Sequence, residues 1–377
     1  MCGIAASPSG YFIIRKVCYN KTMNKRICVA MSGGVDSSVA AALLKKDGYE
    51  VIGVTMRLHS AAANNVNAAS CGSSGAEEAG RVAEELGIRH HLIDLESDFS
   101  RRVVGNFCRE YILGRTPNPC VRCNQFIKFG ILLRKALDLG AVLLATGHYA
   151  RVARSAQGYL LKKGRDRKKD QSYFLYRLGQ RQLARVIFPL GSYSKAQVRY
   201  IAGELGLEVA QKRDSQEVCF LPPGGYGGFI KGAGFGPIKP GVLSDEKGSV
   251  IGRHMGIPFY TIGQRQGLGV AMGYPLYVTR IEARSNRIVL GSRRDACKRE
   301  CLVKDIHFLG AGFKKKVEIN VKIRYNHKES LAAVYPVKSK LKIRFKKPQF
   351  AITPGQSAVF YKGDTVLGGG IIEKVLD

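Results

Sequence analysis

Two groups of residues in this chain are of kinds that do chemistry. The first is Ser32-Gly33-Gly34-Val35-Asp36-Ser37-Ser38. Adjacent glycines let a backbone turn tightly and approach an anion closely. The N–H groups of such a turn, with the N-terminus of a following helix, face phosphate oxygens. Ser32, Ser37 and Ser38 add hydroxyl donors. The stretch lacks the Gly-Lys-Ser/Thr ending of a Walker A loop. The plainer alternative is a glycine turn with Asp36 as a helix cap. The second group is three cysteines: Cys120 and Cys123 in the stretch from Thr116-Pro117-Asn118-Pro119 to Asn124, and Cys219 just before Phe220. Helix N-termini and cations stabilise a thiolate. A thiolate of low pKa can carry a persulfide, and a second cysteine within reach can release the outer sulfur by disulfide exchange. The alternative for Cys120 and Cys123 is half of a structural zinc site. Such a site normally takes four ligands, and Cys219 is the one obvious third.

The elements that must position these groups are legible in part. Arg26–Met31 is a short apolar run that reads as a buried strand ending at the glycine loop. Val39–Lys46 reads as a helix stopped by Gly48. Strands are expected at Glu50–Met56, Arg89–Leu95 and Ala141–Thr146, and helices at Ala76–Leu86, Phe99–Leu113, Gln125–Leu139 and Lys195–Leu205. Strand alternating with helix implies a parallel sheet covered on both faces. Ligands in such sheets sit at the carboxyl ends of the strands, where the glycine loop, Met56 and Gly147-His148 fall. Beyond about Ser215 the texture changes. Gly and Pro become frequent from Pro222 to Gly273, and helical patterns disappear. From Arg280 onward alternating segments dominate, among them Arg287–Leu290, Val317–Arg324, Leu341–Phe345, Ser357–Tyr361 and Thr365–Leu367, the pattern of a small antiparallel barrel or sandwich.

The 377 residues are enough for two or three domains, and 45% are apolar, so ordinary cores can form. Sixty Lys and Arg stand against 29 Asp and Glu, a formal charge of +31. A surface so basic favours a polyanion, since each neutralised phosphate releases counterions. Dense basic runs lie at Lys162–Lys169, Lys314–Lys316 and Lys338–Lys347, a spread that suits a large folded RNA. No stretch has the length and apolarity to span a bilayer, so no membrane partner is expected. The ten cysteines then read as residues of a reducing cytoplasm, chemical before structural. Met1-Cys2-Gly3-Ile4 is similar to the start of amidotransferases with an N-terminal cysteine, but such a domain needs far more chain than precedes Ser32. Residues 1–24 contain no acid, which suits an organelle transit peptide; translation from Met23 is the alternative.

The Ser32–Ser38 stretch resembles the PP-loop of ATP-pyrophosphatases, which cleave ATP between the α- and β-phosphates and adenylate a substrate. GMP, argininosuccinate and asparagine synthetases carry it too, so the loop alone leaves the substrate open. Further motifs narrow it. Asn118-Pro119 with Cys123-Asn124, Phe126–Gly130, Ala145–Ala150, Lys169–Leu175, Asp214-Ser215-Gln216 with Cys219-Phe220, Thr261–Leu268 and Thr353–Ala358 together resemble the tRNA-specific 2-thiouridylase family in order and spacing, from Lys25 to Asp377.

That resemblance implies an α/β fold: a parallel-sheet, adenine-nucleotide alpha-hydrolase-like PP-loop domain, a small linking domain and a C-terminal antiparallel β-barrel. The expected spans are an unstructured extension 1–24, then 25–215, 216–283 and 284–377. It implies Cys219 as the persulfide carrier and Cys123 as the cysteine that releases sulfur and closes a disulfide with it. Ala30, Met31, Ser32, Gly33, Gly34, Val35, Asp36, Ser37, Met56 and Gly147 are implied to bind ATP, with Mg²⁺ offsetting its charge. Asn118, Pro119 and Cys120 are implied beside the target base. His148, Lys169, Asp170, Gln171, Arg324, Tyr325 and Gln356 are implied to touch tRNA, the wobble uridine of the Lys, Glu and Gln isoacceptors. Sulfur would come from a cysteine desulfurase or a sulfur-relay carrier.

Two departures stand out. Cys120 occupies a place where some members carry Asp, so a carboxylate general base is missing there. With Cys123 and Cys219 it makes a thiolate set that an iron–sulfur cluster could use. The acid-rich loop expected after Met56 is altered around Ser70–Gly75, and Cys71 within it reads as incidental. Cys2, Cys18, Cys28, Cys108, Cys297 and Cys301 read as core or surface residues. Two rival functions remain: a PP-loop ligase of a small molecule, which leaves the cysteines and the charge unexplained, and a silent tRNA-binding protein, which leaves the loop without purpose.

Overall fold

A computed structural model describes residues 25–59, 73–212, 218–222, 225–234 and 237–377. The N-terminal extension, Cys71 and Asp214–Gln216 lie outside the described residues.

The first layer is a parallel sheet of β1 (Arg26–Ala30), β2 (Glu50–Arg57), β3 (Arg89–Asp94), β4 (Leu143–Thr146) and β7 (Val186–Ile187), in the order β3-β2-β1-β4-β7. β1 is central, and Ile27, Cys28 and Val29 are wholly buried between the two helical layers. On one face pack α1 (Val35–Lys46), α2 (Ser73–Glu85) and α5 (Lys195–Glu204), through Val39, Leu44, Ala79, Val82, Val198 and Ala202. On the other face pack α3, helical over 96–112, and α4, helical over 119–138, through Phe99, Phe107, Ile127 and Leu132. Both of these helices widen into the π form, at Ser100–Val104 and Cys123–Leu132. The four strands and five helices expected from periodicity are present, with ends shifted by a few residues. β7, two residues long, has no period to read.

Between β4 and β7 the chain makes a hairpin, β5 (Ala150–Ser155) and β6 (Gly158–Lys163). It leaves the parallel sheet and joins the C-terminal sheet at the Lys162–Thr365 pair. Lys163 N–H also donates to Asp364 O at 2.9 Å.

The middle region carries α6 (Tyr226–Gly232) and a four-stranded sheet of β8 (Gly241–Ser244), β9 (Val250–His254), β10 (Tyr277–Glu282) and β11 (Arg287–Gly291), in the order β10-β11-β8-β9. Two sequence expectations fail here. A helix exists where none was expected, because Phe229 and Ile230 dock into the first domain's core and offset the poor helix propensity of Tyr-Gly-Gly-Phe. Arg287–Leu290, read with the barrel, instead pairs with β10 and β8.

The C-terminal strands are β12 (Cys297–Phe308), β13 (Val317–Lys322), β14 (Ser330–Val337), β15 (Lys340–Phe350), β16 (Ser357–Lys362) and β17 (Thr365–Val375). Their order is β12-β15-β14-β13-β16-β17, and β12 also pairs with β17, closing an antiparallel barrel. Val303, Val334, Ile343, Phe345, Phe360 and Ile372 fill it. The basic run at its β14–β15 end is largely compensated: Lys340 pairs with Glu373, Lys342 and Arg344 with Glu300, and Lys346 with Glu318. Lys314–Lys316 are exposed.

Candidate active site

The glycine loop leaves the C-terminal end of β1 and enters α1 with Gly34 as N-cap and no side-chain cap, so the plain Asp-cap reading fails. Ser37 and Ser38 turn their hydroxyls back onto Gly34 O, at 3.0 and 3.1 Å, and Ser32 N–H donates to Ser37 Oγ at 3.2 Å. Asp36 points sideways instead. Its Oδ1 accepts from Tyr149 OH at 2.7 Å and from Lys195 Nζ at 2.8 Å. Gly33 has φ +67°, and a Cβ there would lie 2.6 Å from Gly75 O. Lys212 Nζ bonds Gly33 O at 3.2 Å and pairs with Glu78 of α2. Tyr149, Lys195, Lys212 and Glu78 were not singled out from sequence. Tyr149 alone carried a signal, its place beside Gly147-His148.

Gly147 follows β4 and faces the first turn of α1. A Cβ on it would lie 2.8 Å from Asp36 C and 3.0 Å from Ser37 N. This glycine is therefore required by the close approach of two backbones beneath the loop. Met31 is buried; its carbonyl accepts from Thr55 Oγ1 at 3.0 Å. Ala30 and Met56 are half-buried at the ends of β1 and β2.

The cysteine turn is built by its prolines and by Asn118. Asn118 caps the helix that begins at Pro119, its Oδ1 accepting from Val121 N–H at 3.2 Å. Pro at the first helical position costs no hydrogen bond. Pro119 and Val121 are buried, which leaves Cys120 half-exposed in the first turn of that helix. Cys123 is 8% exposed, and it belongs to the same apolar cluster against which Cys219 packs. Cys219 is held through its neighbour. Phe220 is fully buried against Phe99, Phe107 and Phe229, with ring centroids 5.6, 5.1 and 5.4 Å away, and His59 beyond the end of β2 lies 6.5 Å from it. The glycine loop, the end of β2 and Cys219 thus share the carboxyl edge of the sheet.

The implied tRNA residues separate into two groups. Lys169 and Tyr325 are half-buried. Tyr325 stacks on Phe174 at 4.4 Å, with Lys322 Nζ 5.4 Å from its ring. Burial first, then the negative charge of Asp170, raises the Tyr325 pKa. Burial also lowers the pKa of Lys322. The others hold the scaffold. His148 is 8% exposed between Phe129 and Phe188, bonded to Thr146 Oγ1, and burial lowers its pKa well below the usual value, so its imidazole is neutral. Asp170 is buried and accepts from Gly164 N, Ser172 N and Ser172 Oγ. Gln171 Oε1 accepts from Tyr149 N–H. Arg324 donates to Ile262 O at 2.7 Å and bonds Thr353. Gln356 donates to the carbonyls of Thr116 and Pro117 at 3.0 and 3.2 Å.

Among the described residues, no three His, Cys, Asp or Glu side chains come together as a metal-holding group. Cys120, Cys123 and Cys219 are thus not gathered into such a group among the described residues. Cys28, Cys108 and Cys301 are wholly buried, and burial pushes their thiols up to about 11, 11 and 12, which keeps them protonated and inert. Among the described residues no helix is long and apolar enough to cross a membrane.

The chain matches the tRNA methyl transferase HUP domain over residues 25–223, the tRNA methyl transferase PRC-barrel domain over 231–292 and the aminomethyltransferase beta-barrel domain over 298–372. It is 49% identical over 361 residues to the tRNA-specific 2-thiouridylase MnmA 2 of Thermoanaerobacter pseudethanolicus, across 94% of this chain and 99% of that one. With the tRNA-specific 2-thiouridylase MnmA of Clostridium acetobutylicum it shares 46% over 355 residues, 93% of this chain and 100% of that one. A solved 4-thiouridine synthetase–RNA complex with bound ATP is 20% identical with TM-score 0.35, over 53% of this chain and 46% of that one, a likeness too slight to add weight. On identity of this extent across all three domains, the chain belongs to the tRNA-specific 2-thiouridylase family.

Proposed function

We propose that this chain is a tRNA-uridine 2-sulfurtransferase: it uses ATP to activate the 2-oxygen of a tRNA uridine and replaces it with sulfur carried on Cys219. The observation that supports this best is the carboxyl edge of the sheet, where the glycine loop leaves β1 for α1 and where Cys123 and Cys219 share one apolar cluster with Leu58, just past the end of β2.

In this reading the Ser32–Ser38 loop receives the phosphates of ATP on its N–H groups and the positive end of α1. Asp36, fixed by Tyr149 and Lys195, is the loop carboxylate that would meet Mg²⁺, which offsets phosphate charge when bound. The uracil O2 attacks the α-phosphorus, and pyrophosphate leaves. The terminal sulfur of the Cys219 persulfide then attacks C2, and AMP carries the oxygen away. Cys123, as thiolate, attacks the inner sulfur of Cys219; the S–S bond to the base breaks, and its electrons remain as the C2 thiocarbonyl. A Cys123–Cys219 disulfide results, which a dithiol reductant must open before a cysteine desulfurase or relay carrier reloads Cys219. The reacting base must be splayed from its loop, which single-stranded RNA allows. Tyr325 and Phe174 offer it an aromatic surface. The Lys, Glu and Gln wobble uridines are the expected targets, and Lys169 with the exposed Lys314–Lys316 the expected backbone contacts.

The test is Cys219→Ser. We expect thiolation to vanish while tRNA-dependent pyrophosphate release persists. A Cys219→Ser protein that still makes 2-thiouridine contradicts the reading. Iron measured on anaerobically purified protein is expected to be far below one atom per chain.

A further inference from the structure

Thr116-Pro117-Asn118-Pro119 leads into the cysteine turn, and two of its four residues have no N–H. A segment so poor in donors has to be held by its carbonyls, by the Thr116 N–H and by side chains. The C-terminal barrel supplies these partners from some 240 residues away. Thr116 N–H donates to Pro354 O at 2.9 Å. Gln356 Nε2 donates to Thr116 O at 3.0 Å and to Pro117 O at 3.2 Å, so its two hydrogens have one carbonyl each. Gly355 has φ +94°, and a Cβ there would lie 2.8 Å from Thr116 O and 2.9 Å from Thr116 N and C. No other residue allows this approach. The middle region adds one tie, Thr116 Oγ1 to Thr261 Oγ1 at 3.2 Å.

We propose that Gln356 is a positioning residue: through the Thr116–Pro117 carbonyls it sets where the Cys120–Cys123 turn stands, and the barrel thereby acts on sulfur transfer as well as on RNA. The carboxamide faces the loop backbone, so its loss moves the thiols before it changes any RNA contact. The kinetic part of this proposal rests on the thiolation reading above; the chemical part does not.

The experiment uses the full chain in three variants. Gln356→Met keeps the volume and removes both donors. Gln356→Glu sets a carboxylate against two carbonyl oxygens. Gly355→Ala adds a methyl whose nearest atoms are the Thr116 backbone. The first readout is alkylation by iodoacetamide without ATP or tRNA, with the modified peptides quantified by mass spectrometry and Cys297 as internal reference. Cys120 and Cys123 rates are expected to change at least about fivefold relative to Cys297, with circular dichroism unchanged. The second readout is single-turnover thiolation, expected to slow about tenfold or more while tRNA affinity shifts less than about threefold, as misplaced reacting groups cost rate rather than binding. Unchanged alkylation in all three variants overturns the proposal. So does a Gln356→Met protein that thiolates at the normal rate but binds tRNA more weakly, since that is the signature of an RNA contact. If the wild-type protein thiolates nothing, the alkylation result still stands or falls alone, and the failure belongs to the assigned reaction.

Discussion

Asp36 can be recognised by its type in the sequence, but its partners cannot. Its place in the glycine loop marked it for nucleotide binding, yet its carboxylate is engaged by Tyr149 OH and by the nearly buried ammonium of Lys195. Asp36→Ala therefore removes more than a ligand. It removes a carboxylate that accepts from two donors, at a cost of about 1–3 kcal/mol in stability. We expect ATP-dependent pyrophosphate release to be lost and the Tm to drop by several degrees, with Asp36→Asn retaining most of the stability but not the activity. An Asp36→Ala protein as active as wild type would remove the loop from the reaction. The turn around Cys120 and Cys123 was readable from its prolines and its helix start, whereas the burial of Phe220 that anchors Cys219 was not. Lys195 and Lys212 were not, because a lone lysine at a helix start or in a loop carries no spacing that ties it to residue 33 or 36.

The elements were read best where one helix or strand buries a full face of its own. β1, β2, α1 and α5 have the periodicity that a two-sided sheet demands. The β5–β6 hairpin was missed because its alternation is weak and its partner, β17, is 200 residues away in sequence. α6 was missed because tertiary contacts of Phe229 outweigh its glycines. Gly147 packs against the first turn of α1. Gly147→Ala should push the start of α1 away from β4 by overpacking, at about 1–3 kcal/mol. The expected result is weaker ATP binding with tRNA affinity retained, measured by calorimetric titration. Unchanged ATP affinity would show that the loop does not depend on this backbone contact.

For the whole molecule, the +31 charge was plain in composition, but its distribution was not. Acids placed by the barrel fold neutralise the β15 lysines, and only the structure pairs Glu300 with Lys342 and Arg344. A second global property is acid sensitivity. Six of the seven histidines, His59, His90, His148, His254, His307 and His327, have pKa values lowered from 6.5, each chiefly by burial. The unfolded chain then binds more protons than the folded one below 6.5, so stability is full above that pH and falls as pH drops through it. The stability contributed by carboxylates with lowered pKa, such as Glu282 bonded by Arg287 and Asp295 bonded by Ser292, is lost only below their ordinary values of 4.5 and 3.8. The Tm should thus decline between about pH 6.5 and pH 4.5 on account of histidine alone. A flat Tm across that range would contradict the burial of these rings.

The central claim is that sulfur passes from Cys219 to a base activated at the glycine loop. Its most direct measurement is a single turnover with Cys219 preloaded as a ³⁵S-labelled persulfide, then mixed with tRNA and ATP. The account predicts that label appears in 2-thiouridine in proportion to the persulfide loaded, only with ATP present, and that a Cys123–Cys219 disulfide forms in equal amount. Label that stays on the protein while unlabelled 2-thiouridine accumulates would contradict it.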